Sequence, residues 1–191
     1  MLKNDLRHIY KEKRSTLNVS FKNKAEDLML IGFQQLDISI PSYIMTYAAM
    51  QTAGEFDPAA ITDYCRFRQP DQVLAFPVVV NKQDLQAIAA TEETDFKLSA
   101  YGIPEPINGT SIEPKNIGLV IVPLLCFDER GYRVGYGKGY YDRFLQQCND
   151  DTLKVGFSYF DPIPEITDVH SMDVRLDCCV TPKKNYVFTD K

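Results

Sequence analysis

The sequence contains no tryptophan, and only two of its 191 residues are histidines, His8 and His170. Neither has evident metal-ligand spacing, and so small a supply leaves little material for a histidine-dependent nucleophilic triad. Cysteine offers no more. Cys65, Cys126, Cys148, Cys178 and Cys179 are odd in number and irregular in spacing, and none forms a C-x-x-C pair. That pattern fits neither a zinc ribbon nor a disulfide framework. Cys178 and Cys179 stand inside Leu176-Asp177-Cys178-Cys179-Val180 and read as small buried apolar residues. An excess of positive charge is also missing. The formal net charge of −5 argues against broad nucleic-acid or anionic-membrane binding, while leaving room for a local basic pocket. No apolar run approaches the roughly 20 residues of a membrane span. Residues 1–14 are polar and charged, unlike the apolar core of a signal peptide. The expectation is a cytoplasmic protein with neither a membrane nor a nucleic-acid partner; oligomeric state is left open.

What is present is the composition of an ordinary globular protein, 45% hydrophobic and 25% charged. A chain of this length is expected to form one domain over residues 1–191 and to bury roughly 70% of its unfolded surface. Leu6, Ile9, Tyr10, Lys13 and Leu17 follow helical spacing and predict an amphipathic helix over 3–16. A second helix is predicted from about Ser20, and a third after Asp57-Pro58, ending near Arg68. Apolar runs predict strands over 42–49, 73–80, 85–89, 118–122, 153–158, 178–181 and 186–188, with a helix over 139–148. Residues 91–115, rich in proline, glycine and acids, read as a long functional or mobile excursion. Alternating helices and short apolar strands predict an α/β fold, in which ligands bind beyond the carboxyl ends of strands. The loop after the Val120 strand is therefore the first place to search.

That loop leads into Gly131-Tyr132-Arg133-Val134-Gly135-Tyr136-Gly137-Lys138-Gly139-Tyr140-Tyr141-Asp142-Arg143. Three alternating glycines just before a helix let a phosphate approach the backbone and meet free N–H groups. Lys138 adds a point charge, and Asp142 lies about one helical turn later, placed to hold a divalent metal beside phosphates. A Walker A loop is excluded because Gly139 stands where Ser or Thr must follow Gly-Lys. The dinucleotide fingerprint fails because the third glycine comes one residue early. A tight strand-to-helix turn without a ligand is the alternative reading.

Pro123-Leu124-Leu125-Cys126-Phe127-Asp128, then Gly131, then Arg133 through Asp142 and Phe144-Leu145, resembles the signature of the 5-formyltetrahydrofolate cyclo-ligase family, also called methenyltetrahydrofolate synthetase. The resemblance runs in order over most of the chain and is weakest in the central third. It implies a three-layer α/β sandwich with a mostly parallel sheet and helices on both faces. It also implies ATP as co-substrate, Mg²⁺, and 5-formyltetrahydrofolate as the small-molecule substrate. Lys3-Asn4-Asp5-Leu6-Arg7 resembles the family's K-x-x-L-R element. By resemblance Lys3, Arg7, Arg133, Gly135, Tyr136, Gly137, Lys138, Gly139, Tyr140 and Tyr141 bind ATP. On spacing alone, a solvated basic face is the better reading of Lys3 and Arg7, and the match in position and order to the family reverses it.

Glu55 resembles the folate-binding glutamate, with Ala48 lining the pterin pocket. The stretch from Tyr47 to Glu55 is about two residues longer than in the family, and Pro58 replaces a common threonine. Tyr101, in Tyr101-Gly102-Ile103-Pro104-Glu105-Pro106, resembles an aromatic that stacks on folate; a partly buried loop tyrosine is the alternative. Asp173, in Asp173-Val174-Arg175-Leu176-Asp177, resembles a second metal carboxylate beside Asp142, and otherwise reads as a surface acid. A glutamine often found before that element is not evident near Asp161-Pro162. The implied reaction closes 5-formyltetrahydrofolate to 5,10-methenyltetrahydrofolate: ATP phosphorylates the formyl oxygen, N10 attacks, and phosphate leaves. Lys138, Tyr140 and Tyr141 are the implied catalytic groups. A non-catalytic nucleotide- or folate-binding relative, and a kinase or ligase for another substrate, are the competing readings.

Overall fold

The computed structural model describes residues 1–91, 93–99 and 102–188. Two helices come first, α1 (Lys3–Ser15) and α2 (Val19–Gln34), followed by strand β1 (Tyr43–Met45) and helix α3 (Ala59–Arg68). A hairpin of β2 (Val73–Val80) and β3 (Asp84–Ala90) precedes three short strands, β4 (Phe96–Leu98), β5 (Pro104–Pro106) and β6 (Ser111–Ile112). Next come β7 (Leu119–Val122), a small hairpin of β8 (Cys126–Phe127) and β9 (Arg133–Val134), and helix α4 (Tyr140–Leu145). Strands β10 (Leu153–Phe157), β11 (Cys178–Val180) and β12 (Asn185–Val187) complete the fold.

Eight strands form one sheet in the order β12-β11-β10-β7-β1-β2-β3-β6. The inner pairs, from β11 to β2, are all parallel, and the antiparallel strands are confined to the edges. β7 is buried along its whole length, and its alternation divides the core. Leu119 and Ile121 join Met29 and Phe33 of α2 and Ile61 and Cys65 of α3. Val120 and Val122 face the other way, toward Phe127, Phe144 and Leu145. Covering on both faces explains why this strand reads as an unbroken apolar run. The result is a three-layer α/β sandwich. α1 belongs to neither outer layer: its Leu6 and Tyr10 pack on Leu125, Cys126, Val134 and Ile166, just past the end of β7.

Several boundaries differ from the sequence expectation for local reasons. Asn18, not Ser20, caps α2, its side chain accepting from the Phe21 N–H at 2.8 Å. Asp57 accepts from the Ala59 N–H at 3.0 Å at the start of α3. The strand expected over 42–49 is only Tyr43–Met45, and the helix expected over 139–148 stops at Leu145. There Gln147 and Cys148 donate to Phe144 and Leu145, tightening the chain into turns. The 91–115 excursion carries structure: β4 and β5 pair with each other, and β6 extends the main sheet. The β8–β9 hairpin has no counterpart in the sequence expectation. Its turn is built on Asp128, which is fully buried and accepts the N–H groups of Arg130, Tyr132 and Ile166 at 2.9–3.1 Å.

The five cysteines are free. Burial pushes the thiols of Cys65, Cys126 and Cys178 up to about 12 and that of Cys148 to about 11, so they are poor nucleophiles.

Candidate active site

From β1 the chain adds β2 on one side and β7, β10 and β11 on the other. The direction of growth therefore reverses between β1 and β7, and such switch points open a crevice beyond the carboxyl ends of the strands. A cavity of about 1030 Å³ lies there, lined by Tyr47 and Ala48 after β1, Val79 of β2 and Pro123 after β7. It stands at the upper end of the roughly 300–1,000 Å³ usual for small-molecule sites.

One wall is a basic stripe on α1. Lys3, Arg7, Lys11 and Arg14 are spaced four, four and three residues apart, which sets them along one helix face, and all four line the cavity. The glycine loop faces this stripe. Gly137 and Gly139 have φ of 91° and 68°, backbone that side chains other than glycine's rarely tolerate. A Cβ on Gly137 would stand 3.1 Å from Cζ of Arg7, so the bare backbone lets this guanidinium lie against the loop. Nε of Arg7 donates to the Gly135 carbonyl at 3.0 Å. Lys138 sits exposed at the loop's tip and on the cavity wall. The loop is tied to the β2–β3 turn: the Tyr140 hydroxyl donates to the Lys82 carbonyl at 3.2 Å, and Arg143 bridges the carbonyls of Gln83 and Lys138 at 3.0 and 3.2 Å.

Two carboxylates close this end. Asp142 Oδ1 accepts from Arg133 and from the Val174 N–H, each at 3.0 Å. Asp173 Oδ2 accepts from Lys3 and, at 2.6 Å, from the His170 N–H. Burial alone would raise the Asp173 carboxyl, but Lys3 and the His170 N–H outweigh it and hold the group below its ordinary value. The Arg133 guanidinium is shifted down by its own burial, against the pull of Asp142. Among the described residues no three His, Cys, Asp or Glu side chains gather into a metal cage. The contacts above fall on one oxygen of each carboxylate, Oδ1 of Asp142 and Oδ2 of Asp173. Such a donor set suits Mg²⁺, which takes one or two carboxylates and completes its shell with phosphate and water.

The lining also has an apolar part, made by Met50, Pro77, Val79, Leu85 and Ile103. Within it Glu55 Oε2 accepts from the Met50 N–H at 2.7 Å, and Tyr47 donates to the Phe56 carbonyl at 3.1 Å. Tyr141 also lines the cavity. Its hydroxyl is buried without a hydrogen-bond partner among the described residues. Burial raises its pKa, Glu55 adds to the rise and Arg133 opposes it, so it stands as a protonated donor.

The sequence profile of the 5-formyltetrahydrofolate cyclo-ligase family matches residues 2–182. The chain belongs to that family. A 5-formyltetrahydrofolate cyclo-ligase of Haemophilus influenzae is 39% identical over 161 residues, 78% of this chain and 86% of the relative. One from Mycoplasma genitalium is 24% identical over 93% of this chain and 96% of its own. The solved structure of Aquifex aeolicus 5,10-methenyltetrahydrofolate synthetase superposes with a TM-score of 0.79 at 26% identity, covering all of this chain and 95% of that one.

Of the residues singled out by sequence, Lys3, Arg7, Ala48, Glu55, Arg133, Gly135, Tyr136, Gly137, Lys138, Gly139, Tyr140, Tyr141, Asp142 and Asp173 all line the one cavity. Tyr101 lies outside the described residues. Arg133, on the cavity lining, donates to Asp142 and to the Val174 carbonyl. Some residues had no role assigned in the sequence reading. Lys11 and Arg14 continue the α1 stripe; the Lys3–Arg7 spacing leads to Lys11, and Arg14 follows three residues later on the same face. Glu105, buried and on the cavity wall, stands inside the segment quoted for Tyr101. Asp128 carries the hairpin turn, and its burial leaves no trace in sequence.

Proposed function

We propose that this protein closes 5-formyltetrahydrofolate to 5,10-methenyltetrahydrofolate with consumption of ATP, in the cytoplasm, where five free thiols are at home. The observation that carries the reading is a single cavity with two chemically different walls. One has the α1 stripe and a glycine loop suited to phosphates; the other has a carboxylate set among apolar side chains, suited to the N–H edge of a pterin.

The formyl oxygen on N5 leaves poorly as hydroxide. Transfer of the γ-phosphoryl group of ATP to that oxygen gives a phosphorylated iminium and ADP. N10 then attacks the formyl carbon, and the C–O bond breaks to release phosphate. N10 loses its proton as the methenyl bridge forms. No covalent enzyme intermediate is required, so the protein's work is positioning and charge neutralisation. Lys138 and the N–H groups of the loop meet the phosphate charge. Lys3 and Arg7 anchor the nucleotide, and Arg133 holds Asp142 in place. Glu55 accepts from the pterin, with Ala48 beside it. Tyr141, a donor without a hydrogen-bond partner among the described residues, faces the reacting groups near Glu55 and Arg133. Tyr140 fixes the loop's height over the β2–β3 turn. Asp142 and Asp173 would hold Mg²⁺, which supplies charge neutralisation on the phosphate oxygens.

The test follows methenyl-folate absorbance on mixing the protein with 5-formyltetrahydrofolate, with and without ATP and Mg²⁺. Product only when both are present, with one ADP per turnover, is the expected result. Binding without turnover would make the protein a non-catalytic relative. ATP consumption independent of folate would assign it another substrate.

A further inference from the structure

A buried cation demands an answering charge, and Arg14 is only 4% exposed. Its Nη1 donates to the Leu124 carbonyl at 3.4 Å, and its Nε is buried without a partner among the described residues. Its Nη2 donates to the hydroxyl of Tyr136, and that hydroxyl donates onward to Oε1 of Glu55. The arginine's charge is thus answered through a tyrosine by the carboxylate of Glu55. Burial and Glu55 both raise the Tyr136 phenol, against the pull of Arg14, so the phenol keeps the proton it needs to bridge them. Arg14 and Lys11 also lie over the Tyr136 ring, at 5.7 and 5.6 Å from its centroid, a cation–π arrangement.

Tyr136 is itself part of the glycine loop. Arg7 braces the backbone on both sides of it, donating to the Gly135 carbonyl and lying against Gly137. The loop that meets one ligand and the carboxylate that meets the other are therefore joined through one hydroxyl, with Arg14 behind it.

We infer that Arg14 and Tyr136 form a positioning relay that couples the glycine loop to Glu55, so that nucleotide and folate each raise the protein's affinity for the other. This rests on the proposed function, since it takes the two walls as sites for those ligands. The sign follows from ordering. Whichever ligand arrives first fixes both ends of the relay, and the second meets a site already set. Each carboxylate oxygen has two acceptor positions, so Glu55 can keep Tyr136 while accepting from a pterin. Neither relay residue needs to touch the reacting atoms.

Calorimetry on the full chain tests this with 5-formyltetrahydrofolate and a non-hydrolysable ATP analogue with Mg²⁺, each titrated alone and then in the presence of the other. The wild type is expected to bind folate at least about 5-fold tighter with nucleotide present, and linkage requires the same factor in the reverse titration. In Tyr136→Phe, which keeps the ring and removes the bridge, that ratio should fall toward 1 while each ligand still binds alone. Arg14→Lys should restore part of the ratio that Arg14→Met loses. A purely structural role would weaken both ligands and leave the ratio unchanged. An unchanged ratio in Tyr136→Phe, or a wild-type ratio of 1, overturns the relay. Failure of the wild type to bind either ligand alone overturns the functional reading beneath it, and the relay with it.

Discussion

At the proposed nucleotide end of the cavity, the loop, its lysine and the carboxylate of Asp142 come from a single stretch, residues 131–143. At the proposed folate end, the wall is gathered from separate segments: Ala48 and Glu55 after β1, Val79 of β2, Ile103 and Glu105 around β5, and Pro123 after β7. The first is a local structure, whose geometry follows from three glycines and a buried aspartate. The second exists only once the sheet has formed. Local construction favours a rigid phosphate cradle that one substitution can break outright. Assembly from distant segments spreads recognition, so that single changes there should weaken binding without abolishing the site.

The largest effect is expected at the base of the local end. Asp128→Ala leaves three backbone N–H groups without their buried acceptor and removes one of the partners of Arg130. A buried donor left without its acceptor costs about 1–3 kcal/mol. Urea unfolding should show that loss, with nucleotide binding lost alongside. Unchanged stability would mean the turn does not depend on Asp128. Lys138→Met comes next. This exposed side chain carries little packing, so folding should be preserved while turnover at saturating substrates falls on the order of 10²-fold. A soluble variant with full turnover removes Lys138 from the chemistry.

At the assembled end, Glu55→Gln keeps the size of the side chain but replaces a pure acceptor with a group that also donates. Folate binding should weaken by about 1.5–3 kcal/mol, with ATP binding alone much less changed in separate titrations. Equal weakening of ATP would dissolve the distinction between the two ends.

Asp142 and Asp173 sharpen the comparison, because one belongs to the local stretch and the other reaches the same end from far along the chain. If they share one Mg²⁺, the double variant Asp142→Asn/Asp173→Asn should cost less than the product of the single losses, measured by Mg²⁺ titration of turnover. Asp142→Asn should show the larger single defect. Strictly multiplicative losses would separate the two residues. The smallest effect is on acid stability. The Asp173 carboxyl is held below its ordinary 3.8, so its contribution is present above that value and is lost as pH falls through the lower folded value. Urea midpoints should therefore decline less between about pH 4 and pH 2 in Asp173→Asn than in the wild type. Identical acid limbs would show that the pair with Lys3 is energetically silent.

The same division decides what the sequence could reveal. β7 and the glycine loop are legible because their determinants are contiguous: an apolar run buried on both faces, and glycines where φ is positive. The α1 stripe is half legible. Lys3 and Arg7 stand in a recognisable element, whereas Arg14 matters only because Tyr136 and Glu55 meet it in space. The pairing of Arg133 with Asp142 was not legible, because the partner carboxylate lies on the next helix and meets it only in the folded chain. Residues 91–115 looked unstructured because short strands flanked by proline and glycine carry too little periodicity to be read without their partners.

The claim that binds the two ends together is that they place the γ-phosphate of ATP against the formyl oxygen of the folate. It is tested most directly by enclosing 5-formyltetrahydrofolate labelled with ¹⁸O at the formyl group in a single turnover with unlabelled ATP, and following the label by mass spectrometry of the released phosphate. Phosphate carrying the formyl ¹⁸O is the expected result, because that oxygen leaves bonded to phosphorus. Unlabelled phosphate, with the label released to water, would contradict direct transfer between the two ends of the cavity.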